Sequence, residues 1–238
     1  VALRFVADRG PLAPGPHSST SLMARPALFE NGVLDSPARL QKLKICVGTP
    51  TASILLLYEP LVEGMGWDME DMKFVHIRKM SERLHAFSSE AVDISLINEP
   101  HATIFRRSGH AIDWMNPGNI KPWFQHSVLM YGPNLLLDDV EKGKLFMTAF
   151  LKGLRQYGHG KTQRNLDIMH KYTNVERDVL EEAVWPSLRQ DGTINVPSIL
   201  EIQEWFVKQG LIQTILPEEE FWEPLYVDHA NRVLDSLE

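Results

Sequence analysis

Two short apolar runs, residues 43–47 and 92–97, each stop abruptly at a polar turn. Runs of this length read as strands buried on both faces. The first gives way to Gly48, Thr49, Pro50, Thr51, Ala52 and Ser53, and the second to Asn98, Glu99, Pro100 and His101. After the first turn Ile54, Leu55, Leu57 and Leu61 recur at helical spacing. They predict a helix over 51–64 that Pro60 kinks or shortens. A turn at 69–72 leads to a strand at 73–77. A helix over 80–90 follows, with Ser81 as its N-cap and Glu82 in the first turn. A helix over 100–108 completes a second strand–helix–strand unit.

Upstream, residues 10–21 are rich in Gly, Pro and Ser and read as a loop. Residues 22–36 give a short strand and a turn around Glu30, Asn31 and Gly32. Ser36 then caps a helix that starts with Pro37. Downstream, 112–135 carry a strand pair, the second strand over 125–131. The rest is mostly helical. Phe146, Phe150, Leu151, Leu154 and Tyr157 mark an amphipathic helix over 139–157. Further helices are expected over 163–172, 175–184, 197–209 and 219–237. Pro224 interrupts the last, and Gly210 ends the one before it. Alternating strands and helices imply an α/β fold with a largely parallel sheet and right-handed crossovers.

Charge narrows the function classes. The chain has 24 basic and 31 acidic residues among 238, a formal net charge of −7, which argues against a nucleic-acid partner. No apolar stretch approaches the ~20 residues that span a bilayer. No signal peptide is visible, which decides little because a secreted protein sheds it. The single cysteine, Cys46, excludes an intrachain disulfide and reads as a buried, inert thiol.

The turns hold the candidate chemistry. Thr49, Thr51 and Ser53 offer hydroxyls, and the 48–53 turn, Ala52 included, offers backbone N–H groups at a helix start. That set suits a sulfonate, carboxylate, nitrate or phosphate, and plain N-capping is the other reading. No Lys-Ser/Thr closes the turn in nucleotide-binding spacing. Asn98 and Glu99 end the second strand, where a carboxylate either accepts from a ligand nitrogen or caps the next helix. The nine histidines lack metal spacing: His101 and His110 are nine apart, His159 and His170 eleven. Without a serine elbow or a credible cysteine nucleophile, catalysis is the weaker class, and no cofactor or metal is expected.

In order and spacing these motifs resemble the solute-binding proteins of nitrate/sulfonate/taurine ABC transporters. The resemblance runs from Leu43 and Lys44 through the 48–53 turn to Gly64, Met65, Gly66 and Trp67. Val92, Asp93 and Ile94 stand for that family's Asp-Ala strand, with Ile in place of Ala, and Glu99 and Pro100 for its Glu-Pro turn. Val6 to Gly10 and Ser18 to Arg25 resemble the strand and loop that lead toward the same lobe. The resemblance implies a periplasmic-binding-protein-like fold of type II, with two lobes and parallel-rich sheets. Lobe two would take residues 21–120. Lobe one would take 1–20 and 121–238, with hinges near 10–21 and 117–126. The pattern starts late, near Val6, so lobe one would be incomplete and the chain a fragment.

The implied function is capture of a small polar or anionic ligand, a sulfonate, nitrate, carboxylate or pyrimidine, in a cleft between lobes. A membrane permease would be the partner, and the location periplasmic or extracytoplasmic, with a lipid anchor as one form of attachment. No bond would be made or broken. Thr49, Thr51, Ala52, Ser53, Asn98, Glu99, Ser19 and His126 are the expected ligand residues. A solvated loop is the rival reading for Ser18, Ser19, Thr20 and Ser21. Core packing is the rival for Trp123, Phe124 and His126 as an apolar wall. Two other functions remain open. One is a pyrimidine-synthesising enzyme of the same fold, whose cysteine-rich motif is missing here. The other is a ligand-sensing domain of a signalling protein.

Overall fold

A computed structural model of the protein describes residues 3–34, 37–40, 42–49, 53–64 and 69–237, the side chains of 37, 38, 53, 54, 61 and 64 excepted. The strands are β1 (Arg4–Asp8), β2 (Pro11–Leu12), β3 (Thr20–Ala24), β4 (Lys44–Val47) and β5 (Lys73–His76), then β6 (Ile94–Asn98), β7 (Ile112–Met115), β8 (Phe124–Gln125) and β9 (Val128–Tyr131). The first six helices are α1 (Pro26–Glu30), α2 (Pro37–Leu40), α3 (Glu59–Gly64), α4 (Met80–Ser88), α5 (His101–Ser108) and α6 (Pro117–Ile120). The rest are α7 (Val140–Tyr157), α8 (Gln163–Thr173), α9 (Arg177–Glu182), α10 (Val196–Lys208), α11 (Glu218–Phe221) and α12 (Leu225–Asp235).

Two compact units divide the chain. One holds Ala13–Pro122 and Thr173–Pro186; the other holds Val1–Leu12, Trp123–Tyr172 and Ser187–Glu238.

The first unit is built on a five-stranded sheet in the order β5-β4-β6-β3-β7. β4 runs parallel to both β5 and β6, whereas β3 runs antiparallel to β6 and β7. The expected α/β class holds, but the sheet is mixed. An apolar run specifies a buried strand without specifying its direction, so the antiparallel β3 left no mark in the pattern. Met23, Cys46, Phe87, Val92, Ile97 and Phe105 form the core beneath this sheet. Phe87 and Phe105 meet edge to face, with ring centroids 5.9 Å apart.

Asp93 ties the amino ends of β4 and β6 to the end of β3. Its carboxylate accepts from Arg25 Nε (3.0 Å) and Nη2 (2.6 Å) and from the Lys44 backbone N–H (2.8 Å). Backbone bonds from Asp93 N to Lys44 O and from Arg25 N to Asp93 O complete the clamp.

Several local expectations are revised. The 51–64 segment is a 3-10 turn at Ser53–Leu57 followed by α3, because Pro60 lacks the N–H that a continuous helix needs. Leu55 and Leu57 are buried as expected. Lys79, not Ser81, occupies the N-cap of α4, and no side chain bonds there. The expected short strand is β3 and the expected turn falls at Asn31 and Gly32, but between them residues 26–30 form a helix, with Pro26 in its first turn, that was not expected.

In the other unit β1 pairs antiparallel with β9, and β2 with β8. The expected strand over 125–131 is therefore two strands, parted at His126 and Ser127. Asp8 is fully buried and accepts from Gly10 N (2.9 Å), Gln125 Nε2 (2.7 Å) and Arg189 N (3.0 Å). α7 packs on α12 through a close approach at Gly143, where a Cβ would lie 2.7 Å from Tyr226 Cε1 and 2.9 Å from Leu135 O. The Tyr131 hydroxyl donates to Gly143 O (2.8 Å), and that of Tyr226 to Leu135 O (2.7 Å). The break expected at Pro224 separates α11 from α12, and Gly210 follows α10 with φ +67°.

Candidate functional site

The sheet directions gather one set of ends. β4, β5 and β6 are mutually aligned and β7 shares their sense, so their carboxyl ends meet the amino end of β3 at a single edge. Ligands in open α/β sheets bind at such an edge. The β4–β6 register pairs Ile45 with Ile94 and Cys46 with Ser95, so the residues that follow β4, Gly48 and Thr49, leave the sheet at the same edge as Asn98. The β3–β6 register sets Thr20 opposite Asn98, and Ser19 O accepts from Glu99 N at 2.8 Å. Thr49, Asn98, Glu99 and Ser19 therefore share this edge. Thr51 and Ala52 lie outside the described residues. Ser53 begins the 3-10 turn, and its side chain is outside them too. His126 belongs to the other unit, where its partial burial pushes the imidazolium pKa down.

These residues differ in what they can still bind. Glu99 is spent: its side chain is 4% exposed, Oε2 accepts from Thr103 N (3.0 Å) in the first turn of α5, and Oε1 accepts from Arg106 Nη2 (2.6 Å) and Val184 N (3.3 Å). The bond from Thr103 N ties Glu99 to the first turn of α5, whose N-cap is Pro100. The buried Oδ1 of Asn98, by contrast, has no hydrogen-bond partner. A buried polar atom left without one is costly, and Asn98 stands at the strand end where a ligand would complete it.

A cavity of about 470 Å³ opens nearby, lined by Ser18, Ser21, Arg106, Asp113, Trp114 and Glu182 among others. Its charged groups are already paired. Burial works against the Arg106 charge, but hydrogen bonds and attraction from Glu99, with help from Asp113, outweigh it and raise the pKa above the ordinary arginine value. Arg106 Nη1 reaches the Asp113 carboxylate at 3.0 Å, and Glu182 accepts from Arg107 Nε at 2.9 Å. Carboxylates therefore neutralise the arginine in its wall.

One residue at the edge was not legible in the sequence. Arg83 of α4 is only 7% exposed. Its Nε donates to Ile77 O (2.7 Å), just past β5, and its Nη1 to Leu96 O (3.1 Å) on β6. Nη2 lies against Gly48, where a Cβ would stand 3.2 Å from it. The guanidinium thus spans the carboxyl ends of three neighbouring strands. An Arg on a helix ordinarily reads as solvated, and only the inward face of α4 shows otherwise.

Cys46 is fully buried, as expected; burial pushes its thiol pKa up, although Arg83 opposes the shift. Phe124 is core, while Trp123 beside it is half exposed. Among the described residues no group of three or more His, Cys, Asp or Glu side chains could hold a metal ion, and no helix is long and apolar enough to cross a membrane.

This architecture is that of the periplasmic-binding-protein-like folds. The ligand-binding component of an ABC-type import system from Staphylococcus aureus, solved with zinc bound, superposes with TM-score 0.77 at 16% identity, over 97% of this chain and 75% of that one. The aliphatic sulphonate-binding protein SsuA from Escherichia coli gives 0.66 at 15%, over 95% and 75%. The desulfurization enzyme DSZB gives 0.65 at 12%, over 98% and 80%. No protein-family model matches the sequence, and no curated protein does.

Proposed function

We propose that this protein is the solute-binding component of an ABC uptake system. It captures a small polar or anionic molecule and releases it unchanged to a membrane permease on the outer face of the cytoplasmic membrane. The observation that carries the reading is Asn98: a buried amide oxygen without a partner at the carboxyl edge of the sheet, an acceptor that a ligand N–H or O–H would complete. A binding site needs such open polar groups and no reactive centre. Transport proteins among the structural neighbours support the same reading.

The second reading is an enzyme, favoured by the likeness to DSZB. Against it, the one thiol of the chain is buried and its pKa is pushed up, which suppresses the thiolate.

A thermal-shift panel of sulfonates, taurine, nitrate, carboxylates and pyrimidines separates the two, with the ligand recovered afterwards for mass analysis. Binding at about 100 times Kd adds roughly 2.7 kcal/mol, a rise of about 5–10 °C for a protein of this size. The expected outcome is such a rise with one class and unchanged ligand. Conversion of the ligand would favour the enzyme.

A further inference from the structure

The arginines at the first unit's sheet divide sharply. Arg25 is paired with Glu90 and Asp93, Arg106 with Glu99 and Asp113, and Arg107 with Asp178 and Glu182. Arg83 is the most deeply buried of them, and among the described residues no carboxylate pairs with it. Two backbone carbonyls satisfy Nε and Nη1, but they carry only partial charge. Its buried neighbours do not supply the missing negative charge. Burial pushes the pKa of the Tyr58 hydroxyl up, with Cys46 adding to the rise, and raises that of the Cys46 thiol, so both stay neutral. The Tyr58 hydroxyl, too, has no hydrogen-bond partner. A buried cation without a counter-charge is strongly unfavourable unless something else completes it.

The placement says what that is. Nη2 lies beside Gly48, the first residue of the turn after β4, and Thr49 and Asn98, whose Oδ1 is unbonded, stand at the same edge. Any residue larger than glycine at 48 would crowd Nη2. We propose that Arg83 is the counter-ion of the bound ligand. Its Nη2 would meet a singly charged oxyanion, a sulfonate, nitrate or carboxylate, with the Thr49 hydroxyl as a neutral donor, while the open Asn98 Oδ1, an acceptor, would take an N–H or O–H on another part of a larger ligand. This rests on the binding-protein reading and names the ligand class for it. One guanidinium matches one negative charge, and a planar donor pair suits a group with two or three equivalent oxygens.

The test titrates the full chain and the variants Arg83→Met, Arg83→Lys and Gly48→Ala with methanesulfonate, nitrate and acetate by calorimetry. Neutral and cationic compounds of similar size run beside them. Unfolding midpoints measured without ligand show that each variant is folded. The expected result is binding of at least one anion, weakened roughly a hundred-fold or more by Arg83→Met and less by Arg83→Lys. Gly48→Ala, which displaces Nη2 while keeping the charge, should weaken the same anion. A purely structural arginine would leave selectivity between anions and neutral compounds unchanged. Equal anion binding by the parent chain and Arg83→Met would overturn the assignment and leave the binding function intact, as would a parent chain that takes only neutral or cationic compounds. A parent chain that binds nothing of any charge would overturn both.

Discussion

At the scale of the residue, buried charge is handled in two ways. Asp93 is fully served, by Arg25 and the Lys44 N–H, so its burial is structural. Asp93→Asn keeps the shape but removes the charge and leaves Arg25 underpaired. A loss of about 2–4 kcal/mol is expected in denaturant unfolding, with no change in ligand selectivity. His126 is a different case. Burial lowers its folded-state pKa below the unfolded value, so the unfolded chain binds the extra proton first. Its contribution is therefore complete above the unfolded value of about 6.5 and shrinks as pH falls through that value toward the folded one. His126→Gln should flatten the pH dependence of the unfolding midpoint below pH 6.5. A slope identical to the parent's would assign that dependence to other groups. Asp93 was legible as a strand residue in the resemblance, whereas its clamp was not, because partners 49 and 68 residues away leave no local trace.

At the scale of the element, periodicity did well where one face decides the outcome. The amphipathic pattern over 139–157 became α7, with Leu151 and Leu154 buried, although Phe146 is half exposed and Met147 is the deeper residue. Proline and glycine punctuation located the break at Pro224 and the end of α10. Strand direction was not legible in residues 20–24, since a buried strand has the same pattern either way round. Nor was the role of Gly143, which looks like an ordinary interruption of a helix. Gly143→Ala would drive a methyl group into Tyr226 and the Leu135 carbonyl. A destabilisation of about 1–3 kcal/mol is expected, despite the better helix propensity of alanine. A gain in stability would show that α7 and α12 have room to separate.

At the scale of the whole molecule, the order of turns and strands carried the fold, and three-dimensional similarity at 15–16% identity to transport proteins carries the same architecture. The proposed site was only half legible. The turns at 48 and 98 announced themselves by polar residues that stop apolar runs, but the bonds that occupy the Glu99 carboxylate did not, and Arg83, proposed above, lies on a helix with no distinguishing motif. Whether a polar residue at a strand end is already satisfied depends on partners brought in by the fold. The central claim is that a small anion binds at the carboxyl edge of the five-stranded sheet. Nitrogen-15 NMR of the chain, titrated with methanesulfonate, nitrate and acetate, tests it most directly. The expected result is saturable shifts at Gly48, Thr49, the Arg83 Nε–H and the Asn98 side-chain amide. Saturable shifts confined to the cavity lined by Trp114 and Arg106, with these four signals still, would contradict it.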